Sequence, residues 1–256
     1  MKKIYILFLG VFLYLGVTSG ICQEEKWSLN GGFGIAGYAG DLDKTGISSL
    51  RPALNFETWY RLHENFHLRG GFSLFQLMAD DHVSSRNRSF RANMWDAYVA
   101  PSLTFSFDRF QPLAYIGVGL TKIDPEGRRR EGFSNLPKHE VEAQKVNKHA
   151  LIVPFGLGFR YLVTPEFAIV VDGGLRYVDS DEVDGVSRES IPVDDLGGEA
   201  ISYHNSVRNP NQKLVPGSSD TPQFIAGGNP AMKDLYGMFL IKFQYIFNQR
   251  EGFGPN

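Results

Sequence analysis

The chain has little of what usually fixes a fold by chemistry. Its single cysteine, Cys22, leaves no disulfide for the mature protein even in an oxidising compartment. Beyond the first residues no apolar run is long enough to cross a bilayer as a helix. The net charge of −2 and the pI near 6.3 supply no basic excess, which excludes a nucleic-acid binder on composition. Aromatic residues and glycine are plentiful instead, at 13% and 28 residues. An exported chain with that profile is a large β-sandwich or a membrane β-barrel.

Export is indicated by the opening segment. Lys2 and Lys3 precede an apolar core from Ile4 to Val17, and Gly20 and Cys22 provide small residues for cleavage before Gln23. The expected division is a signal peptide at 1–22 and one domain at 23–256. An uncleaved anchor would need a longer apolar core. Lipidation at Cys22 is disfavoured by Ile21, which stands where a small residue is expected.

Near the other end, DLYGMFLIKFQYIF separates cleanly by parity. Phe239, Ile241, Phe243, Tyr245 and Phe247 are odd, whereas Lys242 and Gln244 are even. Strand side chains alternate between faces, so this segment has one apolar face and one polar face. A helix would place Lys242 among the phenylalanines. Seven further segments alternate in the same way: Trp27–Gly40, Ala53–Leu62, Phe66–Leu77, Met94–Phe107, Pro112–Thr121, Ala150–Leu162 and Glu166–Val178.

The connections alternate as well. Those after the second, fourth and sixth segments are tight, while 41–50, 79–93, 122–149 and 179–233 are long. This predicts an all-β fold: an eight-stranded antiparallel transmembrane up-and-down β-barrel with short periplasmic turns and long extracellular loops. Hydrocarbon leaves no partner for an unpaired backbone group, so a sheet crosses only when it closes. A soluble sandwich would tolerate the alternation but does not account for the asymmetry of the loops.

The polar parity becomes the lumen, and it carries Glu57, Arg61, His67, Arg69, Asp96, Arg160, Asp172, Arg176 and Lys242. Charges of both signs in a narrow interior must pair. Asp172 and Lys242 stand at similar heights on neighbouring strands and are expected to meet. A structural, filled interior is favoured over a conducting pore.

Other constellations are weaker. Asp80, Asp81, His82, Ser84 and Ser85 are ingredients of a hydrolase, but they adjoin in sequence, whereas a triad is assembled from separate elements. The acidic stretch Asp179, Asp181, Glu182, Asp184 and Gly185 has its carboxylates one residue off a calcium loop, with Ser190 at the closing glutamate. Arg86, Arg88, Arg91 and Arg128 to Arg130 could reach lipopolysaccharide phosphates at the outer rim. No catalytic, cofactor or metal residue is assigned.

Four stretches carry a family likeness: GYAGDLDK at 37–44, RNRSFRANMWD at 86–96, GLRYVDSDEVDGVS at 174–187 and KDLYGMFLIKFQYIF at 233–247. Their order and spacing resemble the PorG-type outer-membrane barrels of the Bacteroidetes type IX secretion system. YHNSVRNP at 203–210 falls where that family has a short segment with serine and arginine. Where the family reads nearer to TDYLDDVSG, this chain has DSDEVDGVS, and its charged third loop is long. The resemblance implies a non-enzymatic accessory of secretion, with its short turns and the tail NQREGFGPN contacting a periplasmic ring of a lipoprotein and a partner protein. The alternative is a small envelope-integrity or adhesion barrel, like OmpA or OmpW, acting through its extracellular loops.

Overall fold

Period-two segments fold as strands because each can bury one face and solvate or lipidate the other. A computed structural model describes residues 26–39, 49–80, 89–129, 132–135, 148–180, 183, 190–207, 214–217, 223–226 and 233–247. The expected signal peptide, the His82 segment from 81 to 85, Arg86, Arg88 and Arg130, positions 181, 182, 184 and 185 of the acidic stretch, and the tail 248–256 lie outside them. The described residues fall within one unit, Lys26–Phe247.

The chain runs through β1 (Trp27–Ala39), β2 (Arg51–His63), β3 (Phe66–Asp80), β4 (Ser89–Thr104), β5 (Phe110–Ile116) and β6 (Val118–Lys122). There follow β7 (Pro125–Arg129), β8 (Gly132–Asn135), β9 (His149–Leu162) and β10 (Phe167–Val178). The last connection contains β11 (Ser190–Pro192), a 3₁₀ turn at Val193–Asp195, α1 (Gly198–Val207) and β12 (Phe224–Ala226), before β13 (Leu235–Ile246).

Every neighbouring pair is antiparallel, and the sheet meets itself where β1 lies between β2 and β13. The ring is β1, β2, β3, β4, β5 with β6, β9, β10 and β13. It has eight walls because β5 and β6 form one line between β4 and β9. Gly117 interrupts that line. A side chain there would collide with the carbonyl of Val99 and with Ala100, and its own N–H donates to Pro154 O at 2.7 Å. Glycine alone permits so close an approach.

Two expected loops are partly wall. β3 and β4 stay paired as far as Asp80 and Ser89, so only 81–88 lies between them, not 79–93. The third connection begins with β7, which continues the wall by pairing with β4 at Phe90, Arg91 and Ala92. The reason is a reversal of the alternation. Up to Phe72 and Leu74 the outward parity is apolar; beyond them it becomes Gln76, Met78 and Asp80, opposite Asn93 and Arg91. Gln76 Nε2 donates to Asn93 Oδ1 at 2.8 Å on this exposed outer surface, and Arg91 pairs with Glu126 at 2.6 Å. The inward parity here is Phe75, Leu77, Ala79, Phe90, Ala92 and Met94, all buried. Water replaces lipid outside at that height, so polar and apolar exchange places.

Below the reversal the outward belt is greasy, with Phe33, Phe56, Val99, Val118, Leu157 and Phe239 each about half exposed or more. Aromatic contacts mark its short-turn edge: Trp27 with Tyr60 at 4.7 Å, Phe110 with Phe159 at 5.3 Å, and Tyr245 with Phe247 at 5.2 Å. Girdles of this kind lie at the interfaces of membrane barrels.

Candidate functional site: the charged lumen

The inward parity brings the sequence's candidate residues into the interior and sorts them into tiers. The central tier joins Glu57 on β2, Arg69 on β3, Asp172 on β10 and Lys242 on β13. Arg69 Nη2 lies 2.9 Å from Glu57 Oε1 and 2.7 Å from Asp172 Oδ2. Lys242 Nζ lies 2.8 Å from Glu57 Oε1 and 2.6 Å from Asp172 Oδ2. Two cations and two carboxylates thus alternate in a neutral square, buried on all sides. The Glu57 carboxylate is further held by Trp59 Nε1, which donates to Oε2 at 2.6 Å, and by the Tyr98 hydroxyl, which donates to Oε1.

Aromatic rings and glycines shape the space around the square. The Arg69 guanidinium lies 4.1 Å from the Tyr115 ring centroid and 4.7 Å from that of Trp59, so its flat faces are covered by π surface. Opposite these long side chains the wall is glycine. A Cβ on Gly71 would strike the Tyr98 ring, one on Gly174 the Tyr115 hydroxyl, and one on Gly32 the Lys242 stem.

A second tier lies toward the long loops. Asp96 Oδ2 accepts from the Tyr236 hydroxyl at 3.1 Å and stands 3.5 Å from Arg176 Nε. Above it an apolar plug of Phe75, Leu77, Phe90, Met94, Ile123, Ile152, Val178, Met238 and Leu240 fills the bore. Val183 belongs to this plug, and its N–H donates to Asp234 Oδ2 at 2.8 Å; the Tyr38 hydroxyl donates to Asp234 Oδ1.

Arg61 and Arg160 join neither tier. They lie toward the short turns with His67, where Arg160 Nε donates to Gln111 Oε1 at 2.6 Å. Of the eight charges read from the sequence, seven are buried and Arg61 is half-buried, and the sequence does not divide them into tiers. Trp59, Tyr115 and Tyr236 are further members of the interior. Inward parity is the signal that reveals them: Trp59 shares a strand face with Glu57 and Tyr236 with Lys242, while Tyr115 shares its face with Gln111. Among the described residues there is no group of three or more His, Cys, Asp or Glu that could hold a metal ion.

Residues 15–199 match the family described as the outer membrane protein beta-barrel domain. The chain belongs to this family. That membership and the closed ring place this outer-membrane barrel in the bacterial outer membrane. Among solved structures it is similar to Neisserial surface protein A, with a TM-score of 0.47 at 8% identity over 86% of this chain and 97% of that one. It is also similar to Ail of Yersinia pestis, with a TM-score of 0.44 at 12% identity over 88% and 100%. OprG from Pseudomonas aeruginosa gives 0.43 at 12% identity over 89% and 100%. Likenesses of this degree say nothing about function. No curated protein matches this barrel in sequence.

Proposed function

We propose that this outer-membrane barrel is a non-enzymatic, non-conducting anchor that serves as an accessory of type IX secretion. The observation that carries the reading is the filled bore. Arg69, Lys242, Trp59, Arg176 and Tyr236 are all but inaccessible, and the apolar plug closes over them. A solute would have to break the neutral square and then cross the plug, so the work is done at surfaces outside the bilayer. The four ordered stretches, from GYAGDLDK to KDLYGMFLIKFQYIF, point that work toward secretion of cargo with a C-terminal sorting domain. The short turns and the tail after Phe247 would meet the periplasmic ring, its lipoprotein and partner protein. Lipid surrounds the belt, and outer-leaflet lipopolysaccharide would meet Arg86, Arg88 and Arg128 to Arg130; Arg91 already has Glu126 beside it. Deleting the gene should stop export of such cargo, and the tagged barrel should bring down the ring from detergent-solubilised membranes. Normal export in the deletion strain would refute the proposal.

A second reading is favoured by one feature of the fourth connection. Ile191, Val193, Leu196, Ala200, Leu214 and Ile225 form a small apolar core of their own around α1 and the β11–β12 pair. Tyr203 to Val207 of the family-like segment belong to α1. A folded lobe on the outer side suits an adhesion or envelope-integrity barrel that acts through its loops. Replacing residues 190–226 by a short linker separates the two: adhesion is lost with secretion intact if the lobe is the working part.

A further inference from the structure

The inward charges do not all cancel. Glu57 and Asp172 balance Arg69 and Lys242, and Asp96 balances Arg176. Arg61 and Arg160 fall outside these pairs, and Arg160 is the more deeply buried of the two. It is 7% exposed, and its contacts are amide oxygens: Nε donates to Gln111 Oε1 at 2.6 Å and Nη1 to Gln244 Oε1 at 3.5 Å. Gln244 is itself held by donating from Nε2 to Ser28 Oγ at 2.8 Å. Amide oxygens satisfy donors but do not neutralise charge, and no carboxylate among the described residues forms an ion pair with Arg160. Enclosing a guanidinium without a counter-charge is costly.

The surroundings of Arg160 are also electropositive. Arg61, toward the short-turn rim, acts electrostatically on both Arg160 and the His67 ring. His67 is 3% exposed, and its ring lies 5.8 Å from the Trp59 ring, with Arg160 Cζ 6.0 Å from the same indole. Ser102, across from His67 in the β3–β4 register, is buried and its Oγ has no hydrogen-bond partner. A buried fork and an imidazole thus flank one tryptophan at the periplasmic mouth, with a spare hydroxyl across the ladder from the imidazole.

We infer that this mouth is an oxyanion site, in which Arg160 grips a phosphate or carboxylate group beside His67 and Ser102. The planar guanidinium offers paired donors to either anion. Entry is from the short-turn side, because the neutral square and the apolar plug close the other. This site is independent of whether the barrel serves secretion or adhesion.

The test uses the full mature chain refolded in zwitterionic detergent. Inorganic phosphate and acetate are titrated separately against chloride at matched ionic strength while thermal unfolding is followed. The melting transition should rise with phosphate or acetate and not with chloride, as expected for a ligand of the native state. The larger rise assigns a phosphate-bearing or a carboxylate-bearing ligand. Arg160→Gln, which can still bond Gln111 and Gln244, should lose the rise, and Arg91→Gln at the opposite rim should keep it. No rise with either anion, or an equal rise in Arg160→Gln, overturns the assignment. Should Arg160→Gln fail to fold, the double variant Trp27→Phe/Trp95→Phe leaves Trp59 as the sole tryptophan. Its emission must change on adding phosphate or acetate, and an unchanged emission is equally fatal.

Discussion

Lys242 and Asp172 meet at 2.6 Å although neither is the other's partner across the β10–β13 ladder. Lys242 stands opposite Val170, and Asp172 opposite Leu240, so the pair closes along a diagonal. Across the lumen Lys242 then reaches Glu57 and Asp172 reaches Arg69. Replacing Lys242 by Met strands two carboxylates beside a single guanidinium. A loss of about 3–5 kcal/mol is expected. Urea unfolding in micelles should show it, and Lys242→Met combined with Asp172→Leu should cost less than the sum of the two single changes.

Gly71 is the floor beneath the Tyr98 ring. A methyl group there pushes the ring off Glu57, so Gly71→Ala should lower stability by about 1–3 kcal/mol. Gly70, one residue earlier, faces outward with only the Thr58 methyl near, at 3.6 Å. Gly70→Ala should be close to neutral in the same unfolding measurement.

The outer surface offers a test of where lipid ends. Leu157 on β9 is 70% exposed within the greasy belt, so Leu157→Arg should cost about 2–4 kcal/mol if it stands near the bilayer centre. Gln76→Arg, above the reversal, should cost under about 1 kcal/mol, its loss limited to one hydrogen bond with Asn93. Equal penalties at the two positions would mean that the belt has been drawn at the wrong height.

Asp234 ties the fourth connection to the plug by accepting from Tyr38 and from the Val183 N–H. Asp234→Ala leaves two buried donors wanting, at about 1–3 kcal/mol locally. Hydrogen exchange at Val183 should quicken while the central strands keep their protection. A uniform loss of protection would instead make Asp234 part of the barrel's global stability.

Parity alone located the eight walls, because every segment from Trp27 to Phe247 presents apolar atoms to lipid on one side. It also put the charges inside. What parity could not supply was distance across the lumen. Glu57 and Asp172 share two cations only because the wall curves round to bring β2 opposite β10, and curvature is a property of the closed ring. The ends of the walls were misjudged for a related reason. SFRAN at 89–93 has Ser89, Arg91 and Asn93 on one parity and Phe90 and Ala92 on the other, which is still a strand, but one with water outside and a plug within. Taken with a lipid-facing template it resembles a loop. Gly117 was likewise invisible as a break, since its meaning lies in the carbonyl of Val99 on the adjoining wall.

The neutral square also bears on how the protein enters its membrane. Glu57 and Arg69 come from the first third of the chain, Asp172 and Lys242 from the last third, and the β1–β13 seam runs between the two groups. A half-inserted sheet therefore carries two separate pairs, Glu57 with Arg69 and Asp172 with Lys242, each still lacking its contacts across the seam. The bonds from Arg69 to Asp172 and from Lys242 to Glu57 arrive only when the first and last strands zip together, so completion of the hoop and of the four-ion square are one cooperative event.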